Sequence, residues 1–274
     1  MLRRFCLFVN GVAESTPKNL FRPSDIVSTM ENIDPIIVGG ASQRTFTIVV
    51  EGNIGSGKST FLNTFSSLPD ITIMPEPVNR WTNLGGKHNL LDLIYKDPLR
   101  WNMAFQSYVQ LTRLQMHTKE VPTTFKLMER SLYSARYCFV QNYINTKMMT
   151  ECERAICDEW WEFITSTQKV GVDLIVYLRT DPEVAFSRTR LRNRQEETGI
   201  PLEYLQALHE LHDDWLRGTS GFKLPAPVVE LDANKSLPEV KSAFENYVLA
   251  NMAQMKYLVN KDFRLQASPI RAAN

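Results

Sequence analysis

Gly52, Asn53, Ile54, Gly55, Ser56, Gly57, Lys58, Ser59 and Thr60 spell Gly-x4-Gly-Lys-Ser. Glycines at this spacing let successive backbone amides turn inward on phosphate oxygens. Lys58 supplies a mobile positive charge for the β- and γ-phosphates, and Ser59 a hydroxyl for Mg²⁺. The apolar run 46–50 precedes the loop and a helical pattern follows it. A strand would therefore deliver the loop, and a helix N-terminus would face the anion. A glycine-rich turn without a ligand would not need Lys58. The loop implies a bound nucleoside triphosphate and leaves open what is done with it.

Three further polar clusters could use that phosphate. Pro75-Glu76-Pro77 holds a carboxylate between two residues that stiffen the backbone. Beside a phosphate loop, Glu76 suits a general base taking a proton from a hydroxyl that attacks the γ-phosphate; alone it would read as a solvated turn acid. In Glu129-Arg130-Ser131, Arg130 can neutralise transferred charge and Glu129 can hold Mg²⁺ through water, against the alternative of an ion pair at a helix start. Arg188, Arg190, Arg192 and Arg194 fall into two i,i+4 pairs on a helix, 188/192 and 190/194. One pair would face solvent and the other would close over the triphosphate as a lid, with Thr198-Gly199 as a hinge. A solvated basic face is the competing interpretation. His209 and His212 are three apart, where a zinc-binding His-Glu-x-x-His needs four, and are expected to be structural, without zinc. Trp160 and Trp161 are expected to cover core or interface area.

These clusters need a frame. Short apolar runs at 45–51, 71–74, 126–129, 173–178 and 228–231 read as strands buried on both faces of a parallel sheet. Helical patterns occupy 59–67, 90–95, 99–118, 135–146, 151–168, 182–195, 201–217 and 237–257. Asp181-Pro182 marks a helix start. The alternation predicts an α/β fold: a five-stranded parallel sheet with helices on both faces and ligands at the carboxyl ends of the strands. The chain divides into a leader (1–44), a catalytic domain (45–257) and a tail (258–274).

Composition narrows the partners. The 31 Lys and Arg balance 30 Asp and Glu, which argues against a nucleic-acid partner. No apolar stretch approaches the roughly 20 residues of a membrane span. Cys6, Cys138, Cys152 and Cys157 are scattered and read as reduced thiols of an intracellular protein. The segment before Pro23 is basic and amphipathic, as in a mitochondrial transit peptide; a disordered leader is the alternative. A start at Met30 would omit it, so two start sites would give mitochondrial and cytosolic forms.

With these residues in place, the chain resembles the deoxyribonucleoside kinase family, most strongly its insect multisubstrate and mitochondrial thymidine branches. The likeness runs from about Phe46 to Leu216. It is carried by Glu-Gly-Asn-Ile-Gly-Ser-Gly-Lys-Ser (51–59), Glu-Pro-Val (76–78), Tyr-Lys-Asp-Pro (95–98), Phe-Gln-Ser-Tyr (105–108), Glu-Arg-Ser (129–131), Ser-Ala-Arg-Tyr (134–137) and Tyr-Leu-Arg-Thr-Asp-Pro-Glu-Val-Ala (177–185). The resemblance implies a phosphate-loop nucleoside-kinase fold with an arginine lid. It also implies transfer of the γ-phosphate of ATP, with Mg²⁺, to the 5′-hydroxyl of a deoxyribonucleoside, in a homodimer built on long helices. By the same resemblance Glu76 is the base and Arg130 its phosphate-side partner. Tyr95 and Glu197 hold the sugar 3′-hydroxyl, Gln106 reads the base, and Phe105 and Phe139 flank it. Trp81, Ile54, Val109 and Ala135 line the pocket.

One position departs from the pattern. Thymidine-preferring relatives carry Met where this chain has Arg113. Relatives favouring deoxycytidine and purines pair Arg there with an Asp at the position of Ala135. Arg113 without that Asp predicts broad specificity, with the guanidinium balanced by Glu76 or water. Two other functions compete. A thymidylate-type nucleoside-monophosphate kinase would place an acceptor phosphate beside Glu76, which repels it. A GTPase switch needs Asn-Lys-x-Asp, and Asn234-Lys235-Ser236-Leu237 fails at the last position.

Overall fold

The structure, a computed structural model, describes residues 44–248 together with 250 and 251. The basic leader, Met30, Cys6 and the tail lie outside the described residues. Five strands, β1 (Phe46–Glu51), β2 (Ile71–Met74), β3 (Phe125–Glu129), β4 (Leu174–Arg179) and β5 (Val228–Asp232), form one sheet in the order β2-β3-β1-β4-β5. Every pairing is parallel. All five carboxyl ends therefore point the same way. The central strands meet the expectation of burial on both faces: β3 is buried throughout and β1 and β4 nearly so. The edge strands do not. β2 is half-buried and β5 alternates, because an edge strand has a neighbour on one side only.

Helices fill the crossovers. The 21-residue helix Pro98–Thr118 is the longest among the described residues, about 31 Å at 1.5 Å per residue. Asp97 caps its first turn, accepting from the Arg100 amide at 3.2 Å, and Pro98 presets the helical φ. Its buried residues include Phe105, Val109 and Arg113 at four-residue spacing and Gln106 one position on, so these four share a face. The predicted helix over 135–146 begins earlier, at Leu132. It passes through a π-helical turn, Ala135–Val140, before Gln141–Asn145. The helix after the phosphate loop is shorter than expected, Lys58–Asn63. Residues 237–248 are helical, as expected for the last helix. Phe244 there meets Phe61 and Phe65 edge-on at 5.5 and 5.6 Å, closing the core behind the phosphate loop. Among the described residues no helix is long and apolar enough to cross a membrane.

Candidate active site

The strand ends bring the first charges together. β1 ends at Glu51 and runs into the phosphate loop. Gly52 has φ +143, and a Cβ there would lie 2.6 Å from the Leu178 carbonyl oxygen, so glycine is needed for the loop to pass β4. Lys58 is buried and folded back on its own loop, donating to the Asn53 carbonyl at 2.6 Å and the Gly52 carbonyl at 3.2 Å. Burial, and after it the Arg130 charge, lowers its pKa to about 7. At the end of β3, Ser59 Oγ donates to Glu129 Oε1 at 2.7 Å. Two hard oxygen donors at the loop and strand end are a donor set suited to Mg²⁺.

Arg130 leaves β3 with φ +63, a left-handed conformation that costs a non-glycine residue on the order of 1 kcal/mol or more. That turn directs its guanidinium inward. Nη1 donates to the Gly52 carbonyl at 2.7 Å, Nε lies 3.3 Å from Glu76 Oε1, and the group sits 4.9 Å over the Phe139 ring. Ser131 then caps the next helix, accepting from the Tyr133 amide at 3.1 Å and the Ser134 amide at 3.4 Å. Its hydroxyl donates to Glu51 Oε1 at 2.5 Å, joining the ends of β1 and β3. Burial raises the Glu51 pKa.

Glu76, after β2, faces Arg113 and Arg130. Arg113 Nη2 lies 2.5 Å from Glu76 Oε1. Burial alone would raise the Glu76 pKa, but Arg113, Arg130 and Lys58 outweigh it and hold the carboxyl below the usual carboxylate range. The balancing partner anticipated for Arg113 is thus Glu76. Its guanidinium also lies 5.5 Å over the Trp81 ring.

One cavity of about 250 Å³ joins these groups. Glu76, Lys58, Ser59, Glu129, Arg130 and Arg113 line one end. The other end is lined by Trp81, Leu91, Ile94, Phe105 and Val109, with Gln106. Trp81 and Phe105 meet edge-on at 5.7 Å, and Trp81 Nε1 donates to Thr112 Oγ1 at 3.0 Å, which fixes the indole. Gln106 is buried and its Oε1 has no protein partner among the described residues. Such an acceptor is costly unless a ligand satisfies it.

Tyr95 and Glu197 line the same cavity with Arg192 and Arg194. Asn89 caps the helix Leu90–Lys96, accepting from the Asp92 amide, and donates to Glu196 Oε1 at 2.7 Å. That bond ties the Tyr95 helix to the short 3₁₀ turn Gln195–Glu197. Burial, then the Glu197 charge, pushes the Tyr95 hydroxyl well above its ordinary pKa.

The arginines do not pair as the helix periodicity predicts. Asn193 takes a left-handed conformation and ends the helix Pro182–Arg192, so Arg194 does not follow Arg190 around it. Arg192 and Arg194 instead both bind Glu197, the latter at 2.6 Å. Arg188 donates to the Ala233 carbonyl at 2.7 Å, and Arg190 to the Thr198 and Ile200 carbonyls while covering Phe186. Neither lines the cavity. Ile54, Gly55 and Phe139 line it. Gly52, Asn53, Ser56 and Gly57 shape the loop behind it, Thr60 is exposed, and Ala135 packs in the apolar cluster with Trp81, Phe105 and Val109 without lining the cavity.

Tyr143 and Tyr204 also line the cavity, a pair absent from the expected set. Tyr143 stands four residues after Phe139, a spacing that signals a common helical face. Trp161 packs edge-on to Tyr133 and Tyr137, whereas Trp160 is exposed beside Phe163. His209 Nε2 lies 3.5 Å from Asp213, and His212 is fully buried.

A family model described as deoxynucleoside kinase matches residues 48–256. The chain is 45% identical over 203 residues to mitochondrial thymidine kinase 2 of Homo sapiens, spanning 74% of this chain and 76% of that protein. It is 34% identical over 258 residues to deoxycytidine kinase of Mus musculus, covering 82% and 94% of the two chains. It is 35% identical over 238 residues to the Homo sapiens deoxycytidine kinase, covering 75% and 89%.

Proposed function

Because the chain belongs to the deoxynucleoside kinase family and is an ATP-dependent deoxynucleoside kinase, we propose that its cavity carries γ-phosphate from ATP to the 5′-hydroxyl of several deoxyribonucleosides. The observation that carries the assignment is the meeting of Lys58, Glu76 and Gln106 in one cavity. Glu76 accepts the proton of the attacking hydroxyl. Its depressed pKa keeps it ionised, and therefore competent as a base, throughout the neutral range. Arg130 and Lys58 offset the negative charge of the transferring group, and Arg192 and Arg194 close the mouth over it. Ser59 and Glu129 fit Mg²⁺, which would neutralise charge on the β- and γ-phosphates there. Arg188 and Arg190 act more remotely, holding the arginine segment to neighbouring backbone.

The nucleoside lies with its base between Trp81, Phe105 and Phe139, its edge on Gln106, and its 3′-hydroxyl on Tyr95 and Glu197. Arg113 donates toward the base end as well as to Glu76, and the small Ala135 behind the pocket relaxes it, so specificity is broad. A monophosphate acceptor is disfavoured, since its phosphate would meet the Glu76 carboxylate. A coupled assay with ATP and deoxycytidine, thymidine, deoxyguanosine or dTMP tests this. Turnover of the nucleosides without dTMP is expected, and turnover of dTMP alone would overturn it.

Leu99 and Leu111 on the long helix, and Ile156, Trp160 and Phe163 on the helix Glu151–Thr167, are exposed. These apolar side chains suit a homodimer built on the long helices. Trp160→Glu is expected to shift the scattering mass from dimer to monomer. The basic leader favours a mitochondrial form and a start at Met30 a cytosolic one, tested by imaging tagged chains from each start.

A further inference from the structure

The mechanism leaves unused a buried histidine that lies against Arg130. His212, on the helix Leu202–Leu216, is fully buried. Its Nδ1 lies 2.6 Å from the Leu208 carbonyl oxygen. A carbonyl only accepts, so Nδ1 carries the proton, and a neutral ring then presents a lone pair at Nε2. Burial, followed by the charge of Arg130, keeps the ring neutral, with a pKa of about 3. Nε2 stands 3.4 Å from Nη1 of Arg130, a group that only donates.

Aromatic rings fix the imidazole on two sides. Tyr177 lies parallel to it at 6.4 Å, and Phe139 stands edge-on at 6.3 Å while also supporting the Arg130 guanidinium. Arg130 departs from β3 in a left-handed conformation, so neither helix nor strand sets the direction of its side chain. We propose that His212 is a positioning residue for Arg130, its Nε2 accepting from the guanidinium and holding it toward the transferring phosphate. The proposal rests on the assignment of Arg130 to that phosphate. A core histidine that merely filled space would need no particular acceptor at Nε2.

Matched variants separate the two roles. His212→Gln retains an acceptor near the Nε2 position, whereas His212→Asn keeps a donor toward the Leu208 carbonyl and loses that acceptor. His212→Asn is expected to lower kcat about tenfold, the scale of one hydrogen bond to a charged group, and to leave the nucleoside KM within about twofold. His212→Gln is expected to stay within about threefold of the parent kcat. Equal kcat losses in both variants, or no loss in His212→Asn, would overturn the proposal. Arg130→Ala serves as the control. If it keeps full kcat, the assignment of Arg130 fails and the proposal with it. If it loses activity while His212→Asn does not, only the positioning role fails. Nitrogen-15 NMR of the histidine-labelled parent enzyme needs no variant to fold: a proton on Nδ1 and none on Nε2 is expected, and the reverse tautomer overturns the inference.

Discussion

The two ends of the cavity are built on opposite principles. At the phosphate end, Lys58, Glu76, Arg113, Glu129 and Arg130 are held by one another or by loop carbonyls, at distances of 2.5 to 3.4 Å. Charges there are fixed before any ligand arrives, which is how a site stabilises developing charge without reorganising. At the base end, Trp81, Leu91, Ile94, Phe105 and Val109 offer shape, and the Gln106 Oε1 waits for a partner. Damage to the first end should fall on kcat. Damage to the second should fall on binding and on the choice of base.

The sharpest way to break that contrast is Glu76→Gln, which preserves shape and removes the base. It is expected to lower kcat by about 10²- to 10⁴-fold, with the ATP Kd little changed by calorimetry. A kcat within about tenfold of the parent would remove general-base catalysis from the phosphate end. Gln106→Leu probes the other end. Losing an amide that pairs with a base edge costs about 1–3 kcal/mol, roughly 5- to 150-fold in kcat/KM, expected to appear in KM. A loss confined to kcat would erase the distinction between the ends.

How far each end could be foreseen follows from chain distance. The phosphate loop is contiguous, and Glu76 and Arg130 follow apolar strands, so parallel topology alone gathers them. The sheet was legible for the same reason, because its buried strands are short apolar runs. The base end depends on a face of the long helix, and roles for Gln106 and Arg113 came only with the family resemblance. Contacts across 80 residues or more were not legible: Ser131 with Glu51, and His212 with Arg130. Neither was the left-handed Arg130, since nothing local marks it. The arginine pairing failed for a readable reason. Asn tolerates the left-handed conformation that ends helices, and Asn193 stands in mid-pattern.

A smaller effect sharpens the phosphate end through pH. In the proposed mechanism Lys58 meets phosphate as a cation, and burial lowers its pKa to about 7. Bound phosphate raises that pKa, so binding takes up a proton above neutrality. The ATP Kd is therefore expected to rise by about tenfold per unit above pH 8, measured by calorimetry in buffers of different ionisation enthalpy. Binding without proton uptake at pH 8.5 would mean Lys58 is already charged in the free enzyme.

Arg113 belongs to both ends, so its removal gives the smallest and most discriminating change. Its guanidinium contacts Glu76 and lies over Trp81. It is the first of the charges that hold the Glu76 carboxyl below the ordinary range against burial. In Arg113→Met, Arg130 and Lys58 remain, but burial is less opposed and the Glu76 pKa rises. A base works only when ionised, so the acid limb of the kcat/KM profile moves to higher pH. Activity at pH 8 changes little, while activity near pH 5 falls. At the base end the same variant loses a donor, and the preference for deoxyguanosine over thymidine is expected to drop by about 3- to 10-fold, the scale of a weakened hydrogen bond. A shifted acid limb with an unchanged base preference would assign Arg113 to the phosphate end alone. An unchanged limb with altered preference would assign it to the base end. If neither moved, Arg113 would couple nothing, and the two ends would be independent.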